Sequence, residues 1–149
     1  MSEFDVWSSS FKEGEEIPKD CGYKHGNRQP QIHTSTSHQP VGTKTLALIM
    51  DDPDAMVAVG KVWVHWLRYH GTGGNNPLAI NGKNDFGELG YGGPAPPDKR
   101  HTYVFKAYAL DIAQLDLPKN VHPGTKKDVE AAMKGHILAE AKLTGTYAP

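Results

Sequence analysis

The sequence predicts a mainly β fold, an antiparallel β-sandwich with a peripheral C-terminal helix. Three observations carry that expectation. Apolar, strand-like runs at residues 45–50, 62–69 and 101–110 dominate the middle of the chain. A convincing helical stripe occurs only after residue 125. Strands therefore come first and the helix last, punctuated by 16 Gly and 11 Pro that call for many turns.

Residues 4–7 alternate weakly and read as a short strand, broken by Ser8-Ser9-Ser10. Residues 11–18 are acidic and loop-like, and residues 19–43 show little periodicity, with Gly22, Gly26, Asn27, Pro30, Pro40 and Gly42 as breakers. Residues 45–50 form a near-continuous apolar run, as expected of a central strand covered on both faces. That run ends in Asp51-Asp52-Pro53-Asp54-Ala55, and carboxylates at a strand end must be solvated or paired. In the strand at 62–69, alternation places Trp63, His65, Leu67 and Tyr69 on one face and Val62, Val64, Trp66 and Arg68 on the other.

Residues 71–77, Gly-Thr-Gly-Gly-Asn-Asn-Pro, read as a flexible loop, and residues 81–97 as a longer one ending Gly90-Tyr91-Gly92-Gly93-Pro94-Ala95-Pro96-Pro97. On the strand at 101–110, His101, Tyr103 and Phe105 share a face opposite Thr102, Val104 and Lys106. A linker holding Pro118 and Pro123 leads to Thr125, a candidate N-cap with Asp128 at the N3 position. Val129, Ala132, Met133, His136, Ile137 and Ala141 then recur at helical spacing. Gly135 inside that stripe marks either close packing on the sheet or a break into two shorter helices. Gly145 ends the segment, with a short edge strand expected at Thr146-Tyr147.

At 149 residues the chain suits one domain, residues 1–149, with no internal repeat. A net charge of -1 argues against nucleic-acid binding, which needs a basic face. Eight histidines make the charge sensitive to pH between about 7 and 6. The lone Cys21 excludes an intramolecular disulfide and a Cys-rich zinc site, and is expected to be an inert thiol. The N-terminal residues lack the basic and apolar regions of a signal peptide, and no run is long enough to span a bilayer, so a cytoplasmic location is expected. His25, His33 and His38 fit no standard ligand spacing and read as surface residues.

Three strand ends together suggest chemistry. Asp52 and Asp54 close one strand, His65 lies in the next, and His101 with Tyr103 opens a third. If these strands are neighbours, one pocket gathers two imidazoles, a phenol and one or two carboxylates. An Asp beside a His favours imidazolium and fixes its tautomer, leaving the other N–H to donate to an anion. Gly92 and Gly93 would let backbone N–H groups approach that anion, with Pro96-Pro97 as a stiff wall. A phosphate or carboxylate head group suits this set. Two other readings remain: satisfied core histidines with turn-capping aspartates, or a facial metal site made by His65, His101 and Asp52. Nucleophilic catalysis has little support, since no Gly-x-Ser-x-Gly occurs and Cys21 has no nearby basic partner. Asp85-Phe86-Gly87 looks like a kinase motif, but the other kinase motifs are absent.

These motifs, with Trp63-Val64-His65-Trp66, Asn84-Asp85-Phe86-Gly87 and His101-Thr102-Tyr103, resemble the phosphatidylethanolamine-binding proteins, the family that includes Raf kinase inhibitor proteins. The chain looks like the short bacterial and archaeal branch. The resemblance extends to residues 11–18, to Gly135-His136-Ile137-Leu138-Ala139 and to Gly145-Thr146-Tyr147. It implies a β-sandwich with an anion pocket formed by Asp52, Trp63, His65, Pro97, His101 and Tyr103, supported by Asp54 and rimmed by the loop holding Gly92 and Gly93. It also implies a non-catalytic protein without a cofactor that binds phosphorylated small molecules or lipid head groups. Some such proteins inhibit a kinase or a protease, through the pocket or through a separate surface such as the loop at 71–77, and short members are often homodimers. The chain departs from the pattern at Met56, where a proline is usual, at Gly60, where some relatives carry tyrosine, and at Thr102, where arginine is usual. Residues 27–37 also lack the usual proline and tryptophan pattern.

Overall fold

The computed structural model describes residues 4–35, 37–71, 79–118 and 123–149. Strands β1 (Val6–Ser8) and β2 (Ile32–Thr34) pair antiparallel into a small sheet, with Val6 opposite Thr34. The main sheet holds β3 (Thr45–Asp52), β4 (Trp63–Gly71), β5 (Ile80–Asn81), β6 (His101–Leu110) and β7 (Ile137–Tyr147). Its order is β5-β4-β3-β6-β7 and every pairing is antiparallel. Helix α1 (Ala55–Val59) follows β3, and helix α2 (Lys126–Met133) precedes β7.

The apolar run at 45–50 becomes the middle strand, and all eight residues of β3 are buried. Alternate residues serve two cores. Leu46, Leu48 and Met50 join Trp66, Phe105, Phe11 and the small sheet's Val6 and Ile32 in one core. Ala47 and Ile49 join Leu67, Tyr69 and Leu110 in the other, closed by Val129 and Met133 of α2 and by Leu115. The main sheet is therefore covered on both faces, which is why its central strand is apolar from Leu46 to Met50, and the buried Thr45 before them donates its hydroxyl to the Gly71 carbonyl.

Two expectations need correction. The helical stripe does not continue to Ala141. It stops at Met133, Gly135 turns the chain at φ +84°, and residues 137–147 form an eleven-residue strand paired with β6 from His101–Tyr147 to Leu110–Ile137. Ala141, Leu143 and Tyr147 are buried while Glu140 and Lys142 are exposed, a period of two that overrides the helical spacing of Ile137 and Ala141. The α2 N-terminus is as expected: the Thr125 side chain accepts from the Asp128 N–H.

Alternation along β4 also fails. Met50 sits opposite Trp66 but Asp51 opposite Val64, so His65 is an extra residue, a β-bulge. Past the bulge the faces exchange. Trp63 and His65 stay on the face of Trp66, whereas Leu67 and Tyr69 pack in the second core. The irregular stretch at 19–43 contains β2 and a 3₁₀ turn at Lys19–Cys21 that lacked any periodic signal.

Met133 is buried against the sheet face opposite His65 and His101. Met133→Ala is expected to lower stability by about 2–4 kcal/mol through the cavity it leaves. Urea unfolding measures the loss, and the imidazole NMR signals of His65 and His101 should stay in place.

Candidate functional site

Successive strand residues point to opposite faces, so the acids ending β3 are divided. Asp51 turns towards α2, where its Oδ2 accepts from Lys126 Nζ at 2.8 Å and Lys106 Nζ at 3.4 Å. Asp52 turns the other way and accepts from His101 Nδ1 at 2.6 Å. Asp54 occupies the N-cap position of α1, and its Oδ2 accepts from the Thr102 N–H at 2.8 Å, tying the β3–α1 turn to the start of β6. Met56 donates its N–H to the Pro53 carbonyl at 3.2 Å, a bond that a proline there could not make. Gly60 ends α1 in the left-handed conformation at φ +80°, a role that tyrosine would fill only with strain.

Between these elements lies a cavity of about 250 Å³. Asp52, Trp63, His65, Pro97, His101 and Tyr103 all line it, joined by Phe86, Pro96, Ala95 and the α1 residues Ala55, Ala58 and Val59. The expected convergence of β3, β4 and β6 is real. The bulge at His65 keeps that imidazole on the cavity side next to Trp66, with Tyr103 edge-on at 5.1 Å.

The two histidines occupy opposite electrostatic states. His65 Nδ1 lies 2.7 Å from the Gly92 carbonyl, which only accepts, so Nδ1 carries the hydrogen and Nε2 a lone pair. Burial pushes its pKa below the ordinary value, more than the Gly92 carbonyl and Asp52 restore, and the ring is neutral at pH 7. His101 is buried too, which alone would depress its pKa, but hydrogen bonds to Asp52 and Asp98 outweigh burial and hold it above the ordinary value. Its second nitrogen was expected to face an anion. Instead Nε2 donates to Asp98 Oδ1 at 2.6 Å.

The glycines behave differently from the sequence expectation. Gly92 donates its N–H to the His65 carbonyl at 2.8 Å and Gly93 to Asn27 Oδ1 at 2.7 Å, so neither N–H faces an anion, and neither residue lines the cavity. Their task is close approach. A Cβ on Gly93 would sit 2.0 Å from the Cys21 carbonyl oxygen, and one on Gly92 2.5 Å from Phe86. This proximity lets the Gly92 carbonyl reach His65.

Buried polar atoms without a protein partner include Trp63 Nε1, Tyr103 Oη and Asp52 Oδ1. Burial, and then the Asp52 carboxylate, raise the Tyr103 pKa, so the phenol keeps its proton. Such atoms need a partner, and the cavity is where one can enter. Among the described residues no three His, Cys, Asp or Glu side chains converge as a metal cluster. Cys21 is buried with its thiol pKa raised by burial, and it does not line the cavity. His25 and His38 are exposed, and His33 pairs with Ser9 at 3.0 Å.

Sequence reasoning missed Phe86 and Asp98. Phe86 stacks on Tyr23 at 3.9 Å and meets Trp63 and His65 edge-on, forming an aromatic wall; Asp85 holds it there by exchanging two hydrogen bonds with the Val64 backbone. The signal is the Asn84-Asp85-Phe86-Gly87 segment, which carries part of the family resemblance but no assigned role in the sequence reading. Asp98 gave none beyond its place three residues before His101. The loop at 71–77 lies, beyond Gly71, outside the described residues. Among the described residues no helix is long and apolar enough to cross a membrane.

Residues 7–148 match the family model described as phosphatidylethanolamine-binding protein. A UPF0098 protein of Aquifex aeolicus is 40% identical over 96% of this chain and 87% of its own length. Another from Methanothermobacter thermautotrophicus is 47% identical over 72% of this chain and 76% of its own. Two crystal structures are similar: a putative phosphatidylethanolamine-binding protein homologue from Chlamydia trachomatis, at TM-score 0.83 and 36% identity over 99% of this chain and 98% of that one, and YbcL of E. coli, described as a new member of the mammalian family, at TM-score 0.82 and 29% identity over 97% and 98%.

The opposite shifts predict opposite pH effects. The raised His101 pKa adds stability that is full below about 6.5 and is lost as pH climbs through the folded-state value. The depressed His65 pKa costs stability as pH falls through about 6.5, where the unfolded chain takes up a proton first. NMR titration of the imidazoles should show His65 protonating below, and His101 above, the ordinary histidine value of about 6.5.

Proposed function

The chain belongs to the phosphatidylethanolamine-binding protein family, and from there we propose that its cavity binds a phosphate-bearing small molecule or phospholipid head group without transforming it. One observation carries this reading: a buried imidazolium, His101, lines the same cavity as the unpartnered Trp63 N–H and Tyr103 O–H. Donors fixed in a desolvated site bind an oxyanion strongly because they make charge-assisted bonds with little reorganisation. The neutral His65 adds an acceptor at Nε2 for a protonated ligand oxygen or an ammonium group. The volume of about 250 Å³ suits a phosphate with a few further atoms, and Ala55, Ala58, Val59 and Pro96 give the rest of a head group an apolar wall.

Calorimetry with inorganic phosphate and phosphoethanolamine tests this. His65→Ala and His101→Ala are each expected to weaken binding about ten-fold or more, the worth of a charge-assisted hydrogen bond. Absence of heat from the unaltered protein between pH 5.5 and 7.5 would overturn the reading.

A protein-surface reading has its own support. Met56, Val57 and Val59 of α1 are 52%, 81% and 51% exposed beside the cavity wall, an apolar face suited to a protein partner such as a kinase or protease. Val57→Asp should then abolish inhibition of that partner in an activity assay while leaving the phosphate heat unchanged. Inhibition that survives this change counts against the surface.

A further inference from the structure

Asp98 does not line the cavity, yet it holds the outer ring nitrogen of His101, which does. We infer that its carboxylate is a built-in competitor for the anion site, occupying the outer N–H of His101 until a phosphate-type ligand displaces it. The inference rests on the phosphate reading above and adds how the site is closed and opened.

His101 has two ring N–H groups, and both are taken at 2.6 Å, Nδ1 by Asp52 and Nε2 by Asp98. Asp52 is 3% exposed on the central strand and cannot leave. The Asp98 side chain is 37% exposed, on the bend between Pro97 and β6, so it is the carboxylate that can swing into solvent. His101 is also the only cationic side chain lining the cavity among the described residues, because the neutral His65 has its N–H committed to Gly92. An oxyanion that reaches the cavity without moving Asp98 meets a like charge beside the imidazolium and gains no bond from it. Displacement removes the repulsion and frees the N–H in one movement. Asp98 thereby sets a threshold: a neutral or weakly accepting molecule cannot outcompete a carboxylate, whereas a phosphate can.

Phosphate calorimetry on the unaltered protein and on Asp98→Ala, Asp98→Asn and His101→Ala tests the idea. Asp98→Ala removes the competing acceptor and should bind inorganic phosphate about ten-fold tighter than the unaltered chain, the scale of one charged contact. Asp98→Asn keeps the shape and one acceptor oxygen, and should fall between the two. In the unaltered protein, added phosphate should move the His101 Nε2 resonance and leave Nδ1 in place. Tighter binding in Asp98→Ala, with the unaltered protein still binding phosphate measurably, supports the inference. Equal or weaker binding in Asp98→Ala, with binding still lost in His101→Ala, overturns the competitor role and leaves the phosphate reading standing. No binding by any variant overturns both.

Discussion

A buried ion pair holds the site end of this molecule together. Asp52 and His101 meet at 2.6 Å with 3% and 1% of their surfaces exposed, joining the end of the central strand to the start of its neighbour. Removing one member of such a pair strands the other's charge in a poorly solvated place, at a cost of about 3–5 kcal/mol. The pair is also what leaves a cation in the cavity wall, since burial alone would have discharged the imidazole. One contact therefore sets both the stability of this end of the molecule and the charge on the cavity wall.

Around that contact the sheet divides its labour by face. Asp51 sits beside Asp52 in sequence yet serves Lys106 and Lys126 on the side of α2. The bulge at His65 does the complementary thing on β4, keeping an imidazole next to Trp66 on the cavity face and sending Leu67 and Tyr69 into the second core. Without that inserted residue, strict alternation would leave His65 and Trp66 on opposite faces. The glycines of the 90–93 loop bring the backbone close enough to hold the His65 tautomer, so a loop without regular structure determines which ring nitrogen keeps its lone pair.

The two histidines consequently differ in kind. One is neutral and accepting, the other charged and donating, although both are buried and both line one cavity. Their neighbours make the difference: a carbonyl for His65, two carboxylates for His101. Of these three neighbours Asp98 is the one whose side chain is exposed to solvent. Control of the site belongs to it for that reason.

Much of this was legible in the linear chain, because the information was local. The apolar run at 45–50 specified a central strand, period-two burial at 101–105 placed His101 and Tyr103 on one face, and Thr125 with Asp128 marked the start of α2. Acids at a strand end demanded partners, which pointed to the pocket before its shape was known. Other features depended on contacts between distant segments. The spacing of Ile137 and Ala141 fits a helix, and only pairing with β6 along eleven residues made it a strand. The bulge at His65 arises from register between β3 and β4, and the work of Gly92 and Gly93 from contact with Asn27, Cys21 and Phe86. The sequence by itself determined which chemical groups the site contains. The tertiary structure decided their protonation, their tautomers and which of them is already occupied, because those properties depend on neighbours brought together from far apart in the chain.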